Sequence, residues 1–245
     1  MTVLKRGSTG PAVAELQRLL DSRLVPNPRL VTDGQFGQKT YDAVRGYQRE
    51  TWLVVDGQAG LCTMNALRGT EAYMIDYSIR LVPQPTDTTC WAAATAMLLN
   101  ESVQSVLRRN SSFSTSGGLP NDSEFDDPRT MERYAAANRL GLMYGQSWTA
   151  TGFAATMQGR GALMMNILWN PVGYLSLDPD NPGQYLGSSG HMVVASGIRG
   201  DGTEKGTTLR IHDPWRPGRG QVRSFNYLLW MAAHPTGTYQ LLHRQ

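Results

Sequence analysis

Cys90 is the residue whose type and setting most clearly suit nucleophilic chemistry. It follows a polar stretch, RLVPQPTDTT, and opens the Ala-rich run CWAAATAMLL. That run has strong helix propensity from Trp91 to about Leu99. The thiol therefore falls in a first helical turn, where unpaired backbone N–H groups and the positive end of the helix dipole favour an anionic sulfur. Gln84, six residues upstream, supplies a side-chain N–H. A thiol nucleophile also needs a base, and the chain has four histidines, His191, His212, His234 and His243. His191 follows the loop LGSSG and opens the apolar run MVVAS, a setting expected at the entrance of a strand. His212 lies in LRIHDP beside Asp213. Neighbours on a strand point to opposite faces, so if Asp213 faces a cleft, His212 faces away. His234 and His243, near the C-terminal end, have no comparable setting.

These groups meet only if the intervening elements bring them together. Two adjacent antiparallel strands, 190–197 and 207–212, joined by the turn GDGTEKG, would set His191 beside Asp213, 22 residues later. Taken singly, each residue has a bland reading. A cysteine at a helix start is usually a small buried hydrophobe, a histidine on an apolar strand is usually core, and Asp-Pro is usually a turn. The order Cys, His, Asp, joined with Gln84 and Trp91, favours a Cys90–His191–Asp213 triad. No Cys or His pair has metal-ligand spacing, and the GxxGxG from Gly197 lies between strands rather than before a helix. Neither a metal nor another cofactor is expected.

The Q-x5-C-W pattern resembles papain-like cysteine peptidases. The later HMVV and DP motifs, in that order, and the segment MQGRGALMMN from Met157 resemble bacteriocin-processing double-glycine peptidases and related bacterial effector proteases, over about Arg80 to Gln245. This resemblance implies an α+β fold with the Cys90 helix packed on an antiparallel sheet. It also implies Gln84 as oxyanion donor, with Trp91 and Trp215 as candidate substrate contacts. Trp148, Trp169 and Trp215 read equally as cleft lining or as core. Loops 110–127 and 169–189 would shape the subsites.

The N-terminal part repeats itself. DGQFGQKTYDAV from Asp33 returns as DGQAGLCTMNAL from Asp56, 23 residues on. Each copy reads as a tight Asp-Gly turn followed by a helix with Thr as its cap. Ser8-Thr9-Gly10-Pro11 reads as a further capped start, and Val13-x-x-Leu16-Gln17 is echoed by Val44-x-x-Tyr47-Gln48. A three-helix bundle follows. Its linked motifs, from about Leu4 to Arg68, resemble the peptidoglycan-binding domain found beside many cell-wall hydrolases. The resemblance implies peptidoglycan as partner, with Gln35, Phe36, Tyr41 and Trp52 as candidate contacts, although Phe36 and Tyr41 are equally good core residues. Cys62 departs from the small polar or basic residue that the resemblance implies. The domains expected are a bundle over 1–72, a linker over 73–79 and a hydrolase over 80–245.

The whole chain sets further bounds. It has 245 residues, 40% apolar, with two cysteines and a net charge of +3, too mild to argue for a nucleic-acid partner. CWAAATAMLL falls well short of the roughly 20 residues needed to cross a bilayer, so no membrane partner is expected. The N-terminal MTVLKRGSTGPAV has no apolar segment of the kind a Sec signal needs. The expected enzyme is thus a wall-directed amidase or endopeptidase made in the cytoplasm and delivered by another route. One route is injection into a target bacterium as a type VI secretion effector, implying an immunity protein that plugs the cleft. Another is a phage-type lysis enzyme. The rival expectations are a protease cutting a protein after a glycine pair and an inactive wall-binding protein.

Overall fold

A computed structural model describes residues 2–113, 128–146, 149–168, 190–233 and 239–245. The chain forms two compact units, residues 1–74 with 198–209 and 224–228, and residues 75–197 with 210–223 and 229–245.

The first unit holds helices α1 (Pro11–Arg23), α2 (Gln38–Glu50) and α3 (Leu61–Arg68). Val13, Leu16 and Leu20 of α1 meet Ala43, Val44 and Tyr47 of α2 and Met64, Ala66 and Leu67 of α3 in one core. The sequence repeat corresponds to a repeated polar lock. Gln17 donates through Nε2 to Asp33 Oδ1 (2.9 Å) and accepts from the Gly34 N–H (3.0 Å). Gln48 donates to Asp56 Oδ1 (2.8 Å) and accepts from the Gly57 N–H (2.9 Å). Both glutamines are buried, where an unbonded amide would cost about 1–3 kcal/mol. Thr40 and Thr63 do not cap their helices. Gly37 and Gly60 are the N-caps, and the two threonines, one turn in, lie 3.3 and 3.2 Å from the same glutamine nitrogens. Ser8, expected in the cap of α1, instead accepts the Lys5 N–H, and Gly10 is the N-cap.

Residues 198–209 and 224–228 complete this unit. Arg199 pairs with Glu71 (Nε–Oε1 2.7 Å) and donates to the Thr51 carbonyl (2.7 Å). Asn65 donates to Asp201 (2.8 Å), and Ser224 bonds the Trp52 carbonyl. Part of the expected linker, Tyr73–Asp76, is a strand, β1.

The second unit is built around α4 (Cys90–Leu99), buried from Trp91 through Leu98. A helix apolar on every side belongs inside a core. Its alanines let α5 (Val103–Arg109), α6 (Pro128–Ala137) and the sheet close around it, and Asn100, in the left-handed region (φ 54°), ends it. After α6 come β2 (Leu140–Gln146), α7 (Ala150–Arg160), β3 (Leu163–Leu168), β4 (Gly190–Gly200), β5 (Thr207–Asp213), β6 (Gln221–Asn226), α8 (Tyr227–Ala233) and β7 (Tyr239–Arg244). The sheet order is β2-β7-β3-β4-β5-β6, with β1 also paired to β4. Strands β3 and β7, β3 and β4, and β2 and β7 run antiparallel. The inner strands LMMNIL and HMVVAS are nearly continuous apolar runs, as strands covered on both faces are. The fold is α+β, a helical N-terminal bundle followed by a helix packed on an antiparallel sheet.

Candidate active site

Cys90 is the first residue of α4. At α5 and α7 a hydroxyl, from Ser102 and Thr149, accepts the N–H of the third residue beyond it. At α4 the N-cap Thr89 makes no such bond. Its hydroxyl turns back to Thr86, 3.0 Å from the Thr86 N–H and 3.1 Å from the Thr86 carbonyl. Among the described residues no side chain caps the start of α4, beside the sulfur.

His191 enters β4 opposite Ile167 of β3, and Asp213 ends β5, the next strand in the sheet. The His191 Nε2 lies 2.7 Å from Asp213 Oδ1, both groups being almost fully buried. The Cys90 side chain acts on the same imidazole. Burial alone would push this imidazole down. The Asp213 carboxylate, by charge and by hydrogen bond, and then the Cys90 sulfur outweigh it and carry the pKa up to about 9. A histidine so held keeps its proton at neutral pH beside a sulfur at a helix start.

Two donors further along the chain fix the carboxylate. The Trp215 backbone N–H reaches Asp213 Oδ1 at 2.9 Å, and Gln221 Nε2 at the start of β6 reaches Oδ2 at 3.4 Å. Sequence reasoning missed Gln221, whose only signal was its place eight residues after Asp213.

Gln84 is fully buried. Its backbone N–H donates to the Pro214 carbonyl and its carbonyl accepts from the Gly218 N–H, both at 3.0 Å, which ties its loop to the one after Asp213. Its Nε2 donates to the Thr86 carbonyl at 2.7 Å, leaving one amide proton. Its Oε1 is buried without a hydrogen-bond partner among the described residues.

The other candidate residues have varied settings. Trp91, a candidate substrate contact, is 2% exposed and sits edge-on to Tyr134 (5.9 Å), because position two of an all-buried helix faces the core. Trp215 is half-buried in the loop after Asp213. His212 is buried, and its pKa is pushed down to about 4 by burial and by Arg210, against the pull of Asp76. His243 is on β7, its Nδ1 2.9 Å from the Arg244 carbonyl. In the bundle, Phe36 is a core residue at 3% exposure, packed in the same apolar cluster as the three helices. Gln35 is exposed. Tyr41 is half-buried beneath Arg6 (3.9 Å), and the Trp52 ring lies under Arg199 (5.3 Å). Cys62 is half-buried, 3.3 Å from the Lys205 carbonyl, and its thiol is pushed up by burial. Both thiols are free. Among the described residues no cluster of three or more His, Cys, Asp or Glu could hold a metal ion. Trp148, Trp169, His234 and the loops 114–127 and 169–189 lie outside the described residues.

Comparison with known proteins adds two family matches. Residues 9–67 match a model described as a putative peptidoglycan-binding domain. Residues 70–229 match a model described as the papain-like cysteine protease AvrRpt2. No curated protein matches the chain. Among solved structures, the chain is similar to the SleB N-terminal domain, at 38% identity over 28% of this chain and 90% of that one, with a TM-score of 0.26. It is similar to a Burkholderia AP3 phage endolysin at 27% identity, covering 50% of this chain and 42% of the endolysin, with a TM-score of 0.26. It is also similar to a double glycine motif protease from an AMS/PCAT transporter, in complex with its leader peptide, at 15% identity over 70% of this chain and 95% of that one, with a TM-score of 0.40. With more than half its length matched by that second model, the chain belongs to the AvrRpt2 family of papain-like cysteine proteases and carries a peptidoglycan-binding domain at its N-terminal side.

Proposed function

We propose that this enzyme hydrolyses amide bonds in the peptide part of peptidoglycan, with Cys90 as nucleophile, His191 as base and acid, and Asp213 as the group that orients His191. The observation that carries the reading is the hydrogen bond that holds His191 to Asp213, with the Cys90 side chain, at the start of a buried helix, acting on the same imidazole. The Cys90 sulfur attacks the amide carbonyl carbon, and the oxyanion receives the Cys90 backbone N–H and the remaining Gln84 amide proton. His191 gives its proton to the departing amine, leaving a thioester. Water, deprotonated by His191, then attacks the thioester and releases a carboxylate and the Cys90 sulfur. Asp213 holds one tautomer and offsets the imidazolium charge.

The peptidoglycan-binding match supports a wall substrate, since tethering raises its local concentration at the catalytic unit. A wall substrate lies outside the cytoplasm, so the reading includes delivery across a membrane into a target bacterium, as an antibacterial effector restrained by an immunity protein seated over Cys90.

Incubation with purified sacculi, followed by mass spectrometry of the muropeptides, tests the substrate. New amine and carboxylate ends are expected, and Cys90→Ala should lower their rate by at least about 10³-fold. Unchanged muropeptides together with Cys90-dependent cleavage of a protein would move the substrate to protein. Equal wall cleavage by Cys90→Ala would overturn the triad. Expression directed to the periplasm is expected to lyse cells, and toxicity confined to the cytoplasm would overturn the effector reading.

A further inference from the structure

The two repeats of the bundle serve as controls for each other. Arg45 and Arg68 stand at the same place, twelve residues after Asp33 and Asp56. Arg68 is gripped by both oxygens of Glu15, at 2.9 and 3.0 Å. Arg45 meets no carboxylate among the described residues, and its guanidinium instead lies 5.8 Å from the centre of the Tyr41 ring. Over the same ring, at 3.9 Å, lies the guanidinium of Arg6, also without an ion pair among the described residues. Tyr41 breaks the repeat as well. Its counterpart, Met64, is fully buried in the core, whereas Tyr41 is half-buried with one edge against Gly57, where an added Cβ would come within 2.1 Å of the ring.

The arrangement is rigid. Leu4 exchanges backbone hydrogen bonds with Ala59 of the second loop, at 3.1 and 2.8 Å. Gly7 donates to the Phe36 carbonyl (3.1 Å), and Phe36 donates to the Ser8 carbonyl (2.9 Å). Arg6 is thus strung between the two DGQ loops. A guanidinium stacked on an aromatic face keeps its edge N–H groups for a planar oxyanion. Two cations near one ring, neither in an ion pair among the described residues, repel each other and gain when an anion joins them.

We propose that Arg6 and Arg45, braced by Tyr41, hold a peptide-stem carboxylate of peptidoglycan. This rests on the wall-directed reading above and names the chemical group recognised. A stem carboxylate lies on the same peptide that carries the amides to be cut, whereas the phosphates of other wall polymers do not.

The test uses the full-length Cys90→Ala protein, which leaves the polymer intact, and measures its binding to purified sacculi. Sacculi are untreated, amidated at their stem carboxylates, or stripped of phosphate polymers with hydrofluoric acid. Replacing Arg6→Gln and Arg45→Gln together is expected to weaken binding at least about tenfold, the loss of one charge-assisted contact. Arg45→Glu alone should weaken it further, and circular dichroism melts of both variants should match the parent. Amidation is expected to weaken binding of the parent as much as the double replacement does, and acid stripping should leave it unchanged. Parent-like binding by the folded variants, indifference to amidation, or loss on acid stripping alone each overturns the carboxylate site. A parent that binds no sacculi at all overturns the wall-binding reading itself.

Discussion

At the scale of single residues, the role proposed for His191 rests on its charge. Its pKa is carried up to about 9 from an ordinary 6.5, so the folded chain holds a proton there that the unfolded chain releases near neutrality. The stabilisation this gives is complete below about pH 6.5 and is lost as pH rises through about 9. Activity that needs the imidazolium beside the Cys90 sulfur is expected to fall on the alkaline side with an apparent pKa near 9. Asp213→Asn, removing the charge that raises it, should move that limb toward neutrality and slow the reaction; kcat/KM measured across pH for both proteins checks this. As candidates, Cys90, His191 and Asp213 were legible from their immediate neighbours and their order, and Gln84 from the resemblance of the segment that carries it. Gln221 was not, because a donor to Asp213 supplied by the next strand has no local mark. Trp91 and Phe36 were ambiguous for the reverse reason. An aromatic ring suits a cleft and a core alike, and only packing decides between them.

At the scale of elements, the two DGQ loops share one locking glutamine geometry but differ in what faces their glycines. Gly34 and Gly57 both lie in the left-handed region, at φ 69° and 73°. A Cβ at Gly34 would sit 3.0 Å from the Gly10 carbonyl oxygen, whereas at Gly57 it would strike the Tyr41 ring at 2.1 Å. Gly57→Ala is expected to destabilise the protein by about 2–3 kcal/mol and Gly34→Ala by about 1 kcal/mol, as read from urea unfolding of each variant. The period of 23 residues and the apolar spacing made the bundle legible. The threonines misled because a threonine near a helix start usually caps, and here each is drawn to a glutamine on the preceding helix, a partner distant in sequence. The α4 helix read correctly from composition alone. That its N-terminal threonine turns away from it depends on the backbone path through Thr86, which no residue pattern encodes.

At the scale of the whole molecule, beside the expected bundle over 1–72, linker over 73–79 and hydrolase over 80–245, the compact units follow a less linear division. Residues 198–209 and 224–228 belong with the bundle, since Arg199, Asp201 and Ser224 are spent on Glu71, Asn65 and Trp52. The Arg199–Glu71 pair is nearly buried, with side chains 6% and 12% exposed. Glu71→Gln should therefore leave an uncompensated buried guanidinium and cost about 3 kcal/mol. Replacing both residues with Met should recover much of the loss, which a double-mutant cycle by urea unfolding would measure. Composition could not reveal this division, because the partners lie more than a hundred positions apart and a surface arginine reads the same as a buried one until its carboxylate is found. The same residues bear on ancestry. A binding module exchanged between genes by cutting at its C-terminal border would arrive without the hairpin tip that Glu71 and Asn65 hold. Recombination that separates the two stretches of the gene is expected to leave Glu71 and Asn65 without these partners and so to cost stability.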